Sequence, residues 1–205
     1  EGSTKIIVRY EYYSAQADAG GCWIDEDQIY INPVHCFLFI SERLHEPCTV
    51  ELNVPKNYKV AGSLKKTSEH LFSAADFHEL FDSPFIASGS LQVQKYSVGD
   101  AEVYIWLHGN CKPDWERIVT DFRIFTEEQY KMMGGFPFRE YNFLVQLLPY
   151  RFFHGVEHLS STVLALGPGE ELMNDSLYVD FIGVASHELF HSWNIKTIRP
   201  DDMLP

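Results

Sequence analysis

The sequence predicts an α+β fold, with an antiparallel, sandwich-like β domain over residues 1–111 and a helix-bearing second part over residues 112–205. Three observations predict it. Short stretches of alternating apolar and polar residues recur through the first half. Beyond Pro113 the apolar spacing changes to steps of three and four. A final apolar helix then carries the pentapeptide HELFH, His187 to His191.

The elements follow in order. In TKIIVRYEYY, Ile6, Val8, Tyr10 and Tyr12 alternate with Lys5, Ile7, Arg9 and Glu11, a strand pattern with one apolar residue on its polar face. TVELNVP turns Val50, Leu52 and Val54 inward, and AEVYIWLHG does the same with Val103, Ile105 and Leu107. Turn sequences separate these runs: AGG at Ala19–Gly21, VPKNY at Val54–Tyr58 and SVGD at Ser97–Asp100. From Pro113 a helix is predicted with Trp115, Ile118, Val119, Phe122 and Phe125 on one face, stopped by Gly134-Gly135. Phe143 to Leu148 reads as a strand covered on both faces. HGVEHLSSTVLALG gives one or two extended segments, bounded by GPGEE at Gly167–Glu171. The last helix takes Asn174, Asp175 or Ser176 as its N-cap and runs to about Asn194.

Composition narrows the function. Sixteen Lys and Arg against 29 Asp and Glu give a formal charge of -13, which opposes nucleic-acid and anionic-membrane partners. No apolar run reaches the roughly 20 residues of a spanning helix, and EGSTKIIVRY has no signal-peptide pattern. A soluble chain is expected, with bacterial-type periplasm and cytoplasm both open. Cys22, Cys36, Cys48 and Cys111 lack CxxC spacing and read as ordinary thiols, with disulfides left open.

HELFH carries the chemistry. Residues four apart on an α-helix lie about 40° apart around its axis, so His187 and His191 present both imidazoles to one point, a geometry suited to Zn²⁺. Glu188 is about 100° from the first histidine, where a carboxylate can take a proton from water without ligating. On the same arithmetic Asp180, Gly183 and Asn194 fall beside the histidines, while Ile182, Leu189 and Trp193 point elsewhere. The tetrapeptide HELF also occurs at His78 to Phe81, but Asp82 replaces the second histidine and Ser83-Pro84 ends any helix at once. His78 and Glu79 therefore read as surface or linker residues.

At HELFHSWNIKTIRP the sequence resembles the glycyl aminopeptidase family of zinc metallopeptidases, gluzincins with a thermolysin-like catalytic domain. HGVEHLSST at His154 to Thr162 and DFHELFDSPF carry the likeness further. The resemblance implies that His187 and His191 bind zinc and that Glu188 is the general base. It also implies an edge strand at Gly155, Val156 and Glu157 that binds substrate through backbone groups, with Glu157 on the free α-amine. His154 and His158 stay open as further donors. The fold class becomes an N-terminal antiparallel β domain followed by the first, incomplete part of a thermolysin-like domain, a mixed sheet plus the HExxH helix.

The family takes its third zinc ligand from a Glu on a following helix, more than a dozen residues past the second histidine. Only 14 residues follow His191 here, Thr197 stands where another peptidase group has a third His, and the only later carboxylates are Asp201 and Asp202. The expectation is a fragment whose third ligand and transition-state donor lie beyond Pro205, so that the isolated chain holds zinc weakly and is inactive. The intact protein is expected to be a zinc aminopeptidase releasing Gly or Ala from peptides with a free N-terminus. The alternatives are a zinc endopeptidase of similar fold and a non-catalytic binding module.

Overall fold

The computed structural model describes residues 5–203. Its first part contains strands β1 (Trp23–Ile24), β2 (Gln28–Ile31), β3 (Cys48–Glu51), β4 (Lys59–Gly62), β5 (Lys65–Ser68) and β6 (Leu71–Ala74), helix α1 (Phe77–Phe81) and β7 (Phe85–Ser88). β1-β2-β7-β4 form one antiparallel sheet and β3-β6-β5 another, as a sandwich-like domain requires. The second part contains β8 (Gln92–Val98), β9 (Ala101–His108), α2 (Trp115–Met133), β10 (Glu140–Leu147), β11 (Phe152–Glu157), β12 (Ser161–Gly167) and α3 (Asp175–Phe190). Its five strands form a mixed sheet in the order β11-β12-β10-β9-β8, with β9, β10 and β12 mutually parallel and antiparallel strands at both edges. No helix among the described residues is long and apolar enough to cross a membrane. All four cysteines are free thiols.

Three expectations are corrected. Residues 5–14 form no strand, and Ile6, Val8, Tyr10 and Tyr12 are 79%, 60%, 51% and 45% exposed, while Thr4 lies outside the described residues. Alternation becomes a strand only when a neighbour accepts its hydrogen bonds, and this segment instead runs beside the Phe37–Ile40 loop. The boundary near residue 112 moves to before Gln92, because β8 and β9 belong to the mixed sheet. A β8-β9 hairpin has the same sequence pattern in either sheet, and only the pairing of β9 with β10 across α2 assigns it. Finally, α3 ends at Phe190 and not near Asn194, so His191 is its C-cap.

The core sits on both faces of β10. Tyr141, Phe143, Val145 and Leu147 point toward α2 and α3, where Ile118, Phe122, Phe181 and Leu189 complete an aromatic-rich core. Leu144 points the other way, joining Val163 and Ala165 from β12 and Tyr30, Ile86 and Leu91 from the N-terminal part. Asp114 caps α2 by accepting from Arg117 N–H (3.1 Å), and Gly134 stops it with φ +76. Gln129 on α2 donates to the Ser186 carbonyl (2.8 Å) and Trp193 Nε1 donates to the Gly135 carbonyl (3.0 Å), tying the last turn of α3 to its neighbour.

The first HELF copy forms α1, a single turn capped reciprocally. Asp76 accepts the Glu79 N–H and the Glu79 carboxylate accepts the Ala75 N–H. Glu79 is exposed and His78 half-buried against His45. The residue that matters is Asp82, just after this turn. Its carboxylate accepts from Lys196 Nζ at 2.7 Å, His158 Nδ1 at 3.1 Å and Leu159 N–H at 2.8 Å. One side chain thus joins the N-terminal part, the β11-β12 turn and the loop beyond α3.

Burial opposes the charge on Asp82, but the hydrogen bond and charge of His158, with Lys196, more than offset this and hold its carboxyl below the usual carboxylate value. A lowered folded pKa adds stability that is present above the unfolded value, about 3.9, and lost as pH falls through the folded one. Asp82→Asn is expected to cost about 1–3 kcal/mol at neutral pH. In denaturant titrations across pH the deficit relative to wild type should shrink below about pH 4; a deficit that stays constant would exclude an ionic role for Asp82.

Candidate metal centre

α3 has an apolar face for burial and a polar edge for the site. Tyr178, Phe181, Val184, Ala185 and Leu189 are buried, while His187 is exposed and His191 half-buried. At the end of the helix the two histidines converge. Their Nε2 atoms lie 3.1 Å apart and their rings meet edge to face at 84°. His191 Nδ1 donates to the Asn194 carbonyl at 2.9 Å, which leaves the Nε2 of the neutral ring with a lone pair turned toward His187. Two nitrogens bound at about 2.0–2.1 Å to a tetrahedral Zn²⁺ stand about 3.3–3.4 Å apart, so the pair fits that ion with a shift of a few tenths of an ångström.

The loop beyond His191 is fixed on both sides. Asn194 supplies the carbonyl that orients His191, Lys196 N–H returns to the His191 carbonyl (3.2 Å), and the Lys196 ammonium is held by Asp82. Between them Ile195 has φ +111, a conformation that a β-branched residue adopts only when its neighbours are constrained.

Glu188 is the buried member of the group, 5% exposed. Burial raises its pKa; His191 opposes this, Glu157 adds to it and His154 opposes it. Ligand atoms of Glu157, Glu188 and His191 all lie within 4.8 Å of one another. Asp201 and Asp202 stand in an exposed 3-10 turn outside this group.

β11 lies over α3 as the edge strand of the mixed sheet. His158 N–H bonds the Ser161 carbonyl (3.0 Å), which sets His158, Val156 and His154 as the positions bonded to β12. The backbone groups of Gly155 and Glu157 therefore face the free edge. Gly155 also packs directly on Glu188: a Cβ there would come within 2.8 Å of Glu188 Cδ and 2.9 Å of its Cγ. Val156 and His154 occupy the opposite face, against the Ala19–Gly21 turn. His158 turns away from the metal centre to Asp82.

Sequence reasoning missed Asp82 and Lys196, and it placed Asn194 beside the histidines as part of the helix, whereas Asn194 lies beyond the end of α3 and acts through its carbonyl. No periodicity or motif signals that Asp82 meets a lysine 114 positions away, and the Asn194 contribution is a backbone carbonyl that any residue carries.

The Peptidase M61 N-terminal domain matches residues 1–89 and the M61 glycyl aminopeptidase family matches residues 180–205. No curated protein sequence gives a significant match. Among solved structures, an aminopeptidase N family protein from Idiomarina loihiensis superposes with a TM-score of 0.84 at 29% identity, over 94% of this chain and 35% of that one. An M1 zinc metallopeptidase from Deinococcus radiodurans gives 0.53 at 16% identity over 88% and 44%, a likeness of fold. An M1 zinc metallopeptidase variant bound to L-arginine gives 0.52 at 17% identity over 85% and 41%. The chain thus spans about a third of the length of the Idiomarina protein. One stretch of the chain thus matches the N-terminal domain of the M61 peptidase family, and another, containing HELFH, matches its glycyl aminopeptidase region.

Proposed function

We propose that this chain contributes the histidine pair and the general base of a zinc aminopeptidase. The observation that carries the reading is the convergence of His187 and His191 Nε2 beside a buried carboxylate, under a strand with a free edge. His187 and His191 hold the ion, with His191 oriented by the Asn194 carbonyl. Zn²⁺ bound there supplies the Lewis acidity that makes water nucleophilic near neutral pH and polarises the scissile carbonyl.

The chain's own residues do the rest. Glu188 takes the proton from water and delivers it to the leaving amine, and its raised pKa brings it toward the range in which a carboxylate exchanges protons near neutrality. Gly155 and Glu157 offer backbone N–H and C=O groups at the free edge of β11, so an extended peptide adds there as a further strand. The Glu157 carboxylate, close to Glu188 and His191, receives the α-ammonium and sets the substrate's first residue over the metal centre. Release of an N-terminal glycine follows the activity for which the family is named, and alanine, the next smallest residue, is the expected second substrate. With Glu188 and Glu157 in these roles, the third protein ligand comes from outside the described residues.

Three variants of the whole protein test the reading. Glu188→Ala should lower kcat by about 10²–10⁴-fold while zinc content by elemental analysis stays near wild type; loss of the metal would make Glu188 a ligand. Glu157→Gln should raise KM for peptides with a free amine and leave hydrolysis of α-acetylated peptides at background. If it depletes zinc, Glu157 belongs to the coordination sphere, and if acetylated peptides are cleaved as fast as free ones, the protein is an endopeptidase. Gly155→Ala should displace Glu188 and reduce kcat with zinc retained; an unchanged kcat would remove the packing role given to this glycine.

A further inference from the structure

A cleft that does not involve the histidine pair lies at the far end of the mixed sheet. β9, β10 and β12 run parallel, and ligands of open sheets bind outside the carboxyl ends of such strands. There a cleft of about 500 Å³, within the range of small-molecule sites, opens between the sheet and the segment around β1 and β2. It is remote from the metal centre. Glu157 pairs with Thr162 at one end of β12, and Pro168, which lines the cleft, follows Gly167 at the other, a run of about 16 Å at roughly 3.3 Å per residue.

The floor of this cleft is polar and buried. His108 and Gln146 are register neighbours at the ends of β9 and β10, 9% and 1% exposed, and Gln28 of β2 is 6% exposed above them. Neither amide atom of Gln146 has a hydrogen-bond partner among the described residues, and neither does Gln28 Oε1. A buried primary amide with both atoms unpaired costs stability unless something else bonds it. The mouth is acidic: Asp25, Asp27 and Glu170 border it, and no Lys or Arg does so among the described residues. Asp25 is held in place by Trp23 Nε1 (2.7 Å) and the Asp27 and Gln28 N–H groups (2.9 Å each), and Glu170 by Asn110 (2.7 Å). Trp23 and Tyr150 add aromatic surface to the walls.

We propose that this cleft is a second ligand site, apart from the metal centre, for a small organic cation: an amine or guanidinium compound of amino-acid to dipeptide size. The cationic group sits at the Asp25, Asp27 and Glu170 mouth, and the polar body satisfies Gln146 and Gln28. Burial depresses the pKa of His108 against the opposing pull of Asp25 and Asp27, which favours a neutral ring that adds a donor and an acceptor and no competing charge.

The test uses calorimetric titration of the whole protein with cadaverine, and with pentanediol as its uncharged match, at about 0.15 M salt to screen loose attraction to the acidic surface. Saturable one-site binding of the diamine is expected, with no binding of the diol. Gln146→Leu and the rim variant Asp27→Asn should each weaken it about ten-fold or more, and Glu157→Gln should leave it unchanged. The rim variant is exposed, so it reports even where the buried one does not fold. The proposal is overturned by equal binding of diol and diamine, by no saturable binding, by affinity untouched in both cleft variants, or by loss of binding in Glu157→Gln, which would put the amine in the catalytic cleft.

Discussion

The candidate metal centre depends on one carboxylate that is not part of it. Asp82 receives Lys196 from the loop beyond α3, and His158 and Leu159 from the turn that joins β11 to β12. These two segments carry the two halves of the site. The Lys196 loop fixes Asn194 and hence the ring of His191, and the turn ends the strand that bears Gly155 and Glu157. Because a charge only 29% exposed is costly to leave unpaired, breaking any of these bonds penalises the alternatives to this arrangement as well as weakening it.

The mixed sheet supplies the frame that Asp82 ties down. β10 is covered on both faces, by α2 and α3 on one side and the N-terminal part on the other, so neither layer can slide without opening a core. Its neighbour β12 holds β11 at the edge in a fixed register. That register turns Gly155 and Glu157 toward α3 and sends Val156 and His154 to the opposite face, against the Ala19–Gly21 turn. A slip of one residue would exchange the faces and put Val156 where Glu188 now packs. A side chain at Gly155 would meet the Glu188 carboxylate at this contact.

The two HELF copies show how little a tetrapeptide says by itself. Both are helical, and each begins a connection between the two parts of the chain. In α1 the glutamate is spent on capping and the fifth residue, Asp82, becomes a tether. In α3 the glutamate is buried beneath β11 and the fifth residue, His191, closes the imidazole pair. Length separates them: α1 ends ahead of Ser83-Pro84 after five residues, whereas α3 runs for 16 and can bury one face while presenting the other.

The sequence by itself determined whatever depends on local spacing. The i, i+4 histidines, the stop at Gly134, the strand buried on both faces and the inward set Val103, Ile105 and Leu107 follow from periodicity and residue chemistry, and the last three are fully buried. Only the tertiary structure decided which sheet β8 and β9 join, why Ile6 and Val8 stay outside, and how Asp82 reaches Lys196. The physical reason is the same in each case. Periodicity records which face of an element is apolar, but strand pairing, tethers and the polar floor around Gln146 are contacts between distant segments, whose partners are chosen by the packing of the whole chain.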